Sequence, residues 1–135
     1  MTPDSPTEAQ QPFSGREMSA SLTVNDLEKS LAWYRDVLGF AVDQKHERDG
    51  KVMAVSFKAG SVRLLIGRDD GKKGLDRVKG EGLSLMISTD QNVDELANRI
   101  KAAGGTLDSE PMDMPWGARV FRVRDPDGFR LAIST

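Results

Sequence analysis

The strongest constraint on this 135-residue chain is an internal repeat. Ser19 recurs as Ser84, Gly39 as Gly105 and Arg63 as Arg130, at offsets of 65, 66 and 67 residues. Each copy opens with an alternating run, Ser19–Val24 and Leu83–Thr89, which is the period of a strand with one buried face. Asn25 with Glu28, and Asn92 with Glu95, then predict a capping box at a helix start. Leu27, Leu31, Tyr34 and Leu38 form an apolar stripe in the first copy, and Val93, Leu96, Ala97 and Ile100 form one in the second. Gly39 and the Gly104-Gly105 pair end the two helices. Three strands follow in each copy: Phe40–Lys45, Lys51–Phe57 and Val62–Ile66, then Thr106–Ser109, Val120–Arg124 and Phe129–Ser134. Asp49-Gly50, Ala59-Gly60 and Asp125-Pro126-Asp127-Gly128 supply turn chemistry between them.

The pattern predicts an α+β fold of two tandem βαβββ modules, a cup-shaped, partly open mixed sheet with a helix behind each half. The modules span residues 18–67 and 82–135 and together make one domain, joined by a polar, glycine-rich linker over 68–81. Residues 1–17 hold Pro3, Pro6 and Pro12 with Phe13 as the one large apolar group, the composition of a mobile tail. Strand parity places Ser19, Ser21, Thr23, Arg63, Leu65, Ser84, Met86, Ser88, Arg130 and Ala132 toward the cavity. Leu22, Val24, Leu64, Ile66, Leu83, Leu85, Ile87, Leu131 and Ile133 then face helices and core, and a one-residue slip would exchange the two sets. Ala118–Val123 has no clean polar side.

Composition narrows the chemistry. The chain has no cysteine, which removes disulfides, thiolate metal sites and a cysteine nucleophile. Its formal net charge of -2 demands no nucleic-acid partner. No apolar run reaches the length of a membrane span, so the expectation is a soluble cytoplasmic protein. His46 must serve any imidazole chemistry, but it lies in a charged run beside a hairpin turn. Glu110, at a strand end, would act as a base if buried and as a rim carboxylate if not. Arg63 and Arg130, inward and equivalent, suit a clamp on carboxylate or phosphate, or ion pairs at the rim or a subunit interface.

The stretches Val24–Phe40 ("VNDLEKSLAWYRDVLGF") and Asp125–Ser134 ("DPDGFRLAIS") together resemble the vicinal oxygen chelate superfamily of glyoxalases, ring-cleaving dioxygenases and bleomycin-resistance proteins. The resemblance covers about residues 18 to 135 and implies the same duplicated fold. Metal-dependent members carry four ligands at positions that fall here on Ser19, Leu65, Ser84 and Ala132. None of these side chains is an imidazole or carboxylate, so no metal and no cofactor is expected. "PWGARVFRVRDPDG" looks most like the bleomycin-resistance branch, whose members bind a drug without metal in grooves between two subunits. The resemblance implies a homodimer with a small-molecule ligand, and Trp116, Arg119 and Phe121 as matching positions that would stack on a flat ligand. Trp116 closing the cup and Phe121 packing in the core is the structural alternative. Met53, Phe57, Met86, Met112 and Met114 would line a pliant apolar pocket or fill the core. Ser84, Arg63 and Arg130 complete the expected ligand-binding set. The leading expectation is therefore a metal-free binder of a planar or aromatic compound. A glyoxalase-like lyase or dioxygenase-related enzyme working without the usual ligands, and a structural or regulatory partner-binding domain, are the alternatives.

Overall fold

The computed structural model describes residues 11–135. Residues 11–19 are exposed and carry neither helix nor strand, and the remainder of the expected tail lies outside the described residues. The first module consists of β1 (Ala20–Val24), α1 (Leu27–Ala32), β2 (Ala41–Arg48), β3 (Lys51–Ala59) and β4 (Val62–Arg68). The second consists of β5 (Ser84–Ser88), α2 (Val93–Ala102), β6 (Leu107–Asp113), β7 (Arg119–Arg124) and β8 (Arg130–Ser134). Each module folds into a four-stranded sheet, ordered β1-β4-β3-β2 and β5-β8-β7-β6. The outer pairs β1·β4 and β5·β8 are parallel and the rest antiparallel, so the long connection through each helix is what permits the parallel pair. The two sheets do not join into a closed barrel.

Local chemistry explains the helix ends. Asp26, not Asn25, caps α1, its carboxylate accepting the Lys29 N–H at 3.1 Å. The Asn25 N–H is taken instead by Asp127, 102 residues away, at 3.0 Å. Past Ala32 the helix widens into a π turn over Trp33–Val37, with Leu38 N–H donating to Trp33 O at 2.9 Å. Phe40 N–H then donates to Tyr34 O at 2.8 Å, and Gly39 at φ +89° permits this stop. In α2 the cap is Asn92, as expected, accepting from Glu95 N–H at 3.1 Å.

Both modules bury their apolar sides in one core. Leu22, Val24, Leu27, Tyr34, Val55, Phe57 and Ile66 from the first meet Val93, Ile100, Phe121, Val123, Leu131 and Ile133 from the second. Tyr34 sits in an aromatic cluster, 5.5 Å from Phe57 and edge-on to Trp33 at 4.8 Å between centroids. Gly105 lies close against the first module's Val37 and its own module's Ile100. A Cβ there would fall 2.5 Å from Val37 Cγ1 and 3.0 Å from Ile100 O. Leu83, expected in the core, precedes β5 and is exposed, because the strand begins one residue later at Ser84.

Candidate functional site

The sheet faces turned away from the helices carry the candidate ligand contacts. On the second sheet, register sets Ser84 beside Arg130, Met86 beside Ala132, and Arg130 beside Arg124. Met86 is 71% exposed, whereas Ala132 beside it is buried. Arg124 reaches Asp108 at 2.6 Å, while Arg130 has no carboxylate partner among the described residues. On the first sheet Arg63 lies beside Lys58, and both reach Asp43, at 3.4 and 3.6 Å.

Several residues expected at a ligand site lie elsewhere. Phe57 and Phe121 are fully buried under the helices and have no face to offer a ligand, since each shares strand parity with core residues Val55 and Val123. Arg119 shares the parity of Phe121 and turns to α2, where it forks onto Asp94 with two bonds of 3.0 Å and reaches Asp113 at 3.1 Å. Those carboxylates hold its guanidinium above its ordinary range, the Asp94 hydrogen bond contributing most. These bonds clamp β7 to the helix. Met53 sits half-buried at an irregularity where Glu47 pairs with Val52 and His46 with Ala54. Trp116 is 68% exposed in the turn between β6 and β7, a turn closed by Met114 N–H donating to Ala118 O at 2.7 Å. His46 is exposed on β2, and Glu110 is exposed and paired with Lys101 at 2.9 Å.

The four superfamily metal positions do not fit a metal. Ser19 lies just before β1, Leu65 is half-buried on β4, Ser84 is exposed and Ala132 is buried, and none brings an imidazole or carboxylate. Among the described residues no three His, Cys, Asp or Glu side chains converge elsewhere.

The structure adds a latch that sequence reasoning divided between two motifs. The Tyr34 hydroxyl donates to Asp125 Oδ2 at 2.8 Å. Asp125 Oδ1 accepts the backbone N–H groups of Asp127 and Phe129, and Asp127 accepts from Asn25 N–H and, at 3.3 Å, from the Ser30 hydroxyl. The start of α1 and the Asp-Pro-Asp-Gly turn are thus two halves of one joint between modules. Two clefts flank the modules. One of about 340 Å³ lies between linker and turn, bordered by Arg77, Lys79, Arg124 and Arg130 with Glu81 and Asp127. The other, about 670 Å³, runs between the end of α1, the β3–β4 turn and α2. Of the expected ligand residues, only Arg130 borders either cleft. The sequence signal for the larger one was the unequal turns of the repeat, Ala59-Gly60 against Asp125–Gly128.

Residues 18–133 match the family model described as Glyoxalase/Bleomycin resistance protein/Dioxygenase superfamily. A probable lactoylglutathione lyase of Vibrio cholerae is 25% identical over 130 residues, covering 87% of this chain and 88% of that protein. Among solved structures, TioX from Micromonospora sp. ML1 superposes with a TM-score of 0.70 at 23% identity, over 88% of this chain and 94% of that one. A glyoxalase/bleomycin resistance protein/dioxygenase from Nocardioides gives 0.68 at 22% identity, over 94% and 87%. At these identities the structural likeness speaks to the fold.

Proposed function

The chain belongs to the glyoxalase, bleomycin-resistance and dioxygenase superfamily, and from that premise we propose that it binds a planar or aromatic small molecule without metal, as a homodimer. The observation that carries this is the outward face of the second sheet. There Met86 stands exposed beside Ala132, two residues along the strand from the Ser84–Arg130 pair, and a metal-dependent relative needs an imidazole at Ser84 and a carboxylate at Ala132. A polarizable thioether next to an unpaired guanidinium suits a flat ring bearing an acidic group. Arg63 from the first sheet and the exposed Trp116 are the further contacts in this reading. In this reading a second copy supplies the opposing wall of the cup, since Met86 and Arg130 stand exposed on the single chain.

The experiment is a titration of purified protein with a planar glycopeptide antibiotic, read by Trp fluorescence and calorimetry, alongside light scattering and metal analysis. Saturable heat with a dimeric mass supports the reading. Absence of both heat and a fluorescence change, or stoichiometric zinc, nickel, manganese or iron, overturns it. The lyase-like relative favours a second reading, a carbonyl-directed enzyme working without the usual ligands. Turnover of lactoylglutathione that is lost in Glu110→Gln with binding retained would select it.

A further inference from the structure

The two modules differ at one joint. In the second, the turn after β7 fills the space over α1, with Asp125 on Tyr34 and Asp127 on Ser30. Ser30 and Tyr34 lie four and eight residues past the cap Asp26, and Leu96 and Ile100 lie four and eight past the cap Asn92. The strand ends before each turn also correspond: Ala59 pairs with Val62 as Asp125 N–H donates to Phe129 O at 2.9 Å. Lys58 with Arg63 matches Arg124 with Arg130, so Ala59 stands where Asp125 stands. Between Ala59 and Val62 there are two residues, Gly60 and Ser61, while three separate Asp125 from Phe129. The shorter turn has no acid to insert, and the helix facing it has no hydroxyl to receive one. Ala59, Gly60, Ser61, Leu96 and Ile100 all line the 670 Å³ cleft. The first module therefore has a void where the second has a plug.

From this broken symmetry we infer that the cleft is a second small-molecule site, separate from the outward sheet faces, which takes an apolar compound of no net charge. Its volume falls within the range of roughly 300 to 1,000 Å³ typical of ligand pockets. Phe40, Val62, Ile87, Leu96, Ile100 and Ile133 give it apolar walls. Three charged side chains border it, Asp36, Asp90 and Arg99. Asp36 is already held by Arg35 through bonds of 2.8 and 2.9 Å. Asp90 and Arg99 have no ion pair among the described residues, and their charges sum to zero. A ligand with a net charge would leave one of the two opposed, whereas a neutral body with a polar end satisfies both.

The test uses N-phenyl-1-naphthylamine, a neutral fluorophore of suitable size, titrated into the full chain. The expected result is saturable enhancement with one site per chain. Ser61→Trp, on an exposed turn, and Ala59→Phe each fill the cleft and weaken binding at least tenfold, with the urea midpoint of Ser61→Trp showing that the fold is kept. Met86→Glu alters the outward face alone and leaves the affinity within twofold. The sulfonated analogue 8-anilinonaphthalene-1-sulfonate binds at least tenfold more weakly. No saturable binding, undiminished binding to a folded Ser61→Trp, loss in Met86→Glu instead, or equal affinity for the sulfonate would each overturn the inference. Because the outward face has its own ligand test, failure of one site leaves the other standing.

Discussion

Tyr34 donates its hydroxyl to Asp125 Oδ2 at 2.8 Å, and both groups are buried at the joint between the modules. Burial and the Asp125 charge push the tyrosine far above its ordinary range, so it stays a donor at every working pH. Tyr34→Phe keeps the ring among Trp33, Phe40 and Phe57 but leaves Asp125 with only backbone partners. Losing one partner of a buried carboxylate costs about 1–3 kcal/mol. Urea unfolding should show that loss as a lower midpoint with an unchanged slope.

Asp125 also sets a pH dependence. Burial raises its carboxyl above the usual range, and the Tyr34 hydroxyl and two backbone N–H groups only partly oppose this. The folded state then holds the proton more tightly than the unfolded chain, so this group's contribution is full below about pH 4 and is lost as pH rises through the raised folded value. Asp125→Asn removes the titration while keeping an oxygen for the turn. The stability of the variant relative to the parent should therefore rise with pH above about 4, measured by thermal unfolding at stepped pH. A constant difference across the series would sink the assignment.

Much of the fold was legible because the repeat reports it twice, and the gaps have physical causes. Asn25 and Asp26 are both good caps, and only the distant Asp127, by taking the Asn25 N–H, decides between them. The Ala118–Val123 run has no polar side in sequence because Arg119 belongs to the helix side, where Asp94 on α2 receives it. Phe121, on the same face, reads in sequence as a stacking surface for the same reason, yet it is buried. Local alternation cannot show a charge satisfied from another element. The outward positions of Ser84, Met86 and Arg130 were readable from parity, while the larger cleft depends on a difference between the repeats.

Gly105 tests how closely the modules are packed. The φ at this position is not in the left-handed region, so the case rests on space alone. An added methyl meets Val37 Cγ1, which can turn aside, but also Ile100 O at 3.0 Å, which cannot. Gly105→Ala should destabilise by about 1–3 kcal/mol, the usual range for overpacking. Gly60→Ala has open space at its added Cβ but a φ of +60°, so its loss would come from backbone strain instead. In Gly105→Ala, a compensating Val37→Ala should recover part of the midpoint, whereas Gly60→Ala should gain nothing from it.

Acid should loosen the linker first. Asp69 receives Lys79 and Arg77 at 2.7 Å each and the Gly71 N–H at 2.8 Å, and Lys79 also donates to Thr23 O. The Lys79 hydrogen bond, followed by those from Gly71 and Arg77, holds the Asp69 carboxyl well below the usual range. Here the sign is opposite to that of Asp125. The stabilisation is present above the unfolded value, about pH 4, and is lost as pH falls through the lowered folded one. Lys79→Met should flatten the acid limb of the stability profile, and amide exchange over residues 69–80 should accelerate in the variant. An unchanged acid limb would show that Asp69 is not the titrating group.

Metal removal should change nothing. A bound ion that prefers the folded state stabilises by about 2.7 kcal/mol at a hundredfold excess over its dissociation constant, enough to move a melting curve by several degrees. Ser19, Leu65, Ser84 and Ala132 supply no such binding energy. Dialysis against EDTA should leave the melting temperature where it was, and readdition of zinc or nickel at a tenfold excess over protein should not raise it. Replacing Ser84→His and Ala132→Glu together, at positions one strand apart on the outward face, should begin to create zinc-dependent stabilisation. A shift in the unmodified chain would mean that ligands other than these four hold an ion, and the metal-free reading would fall.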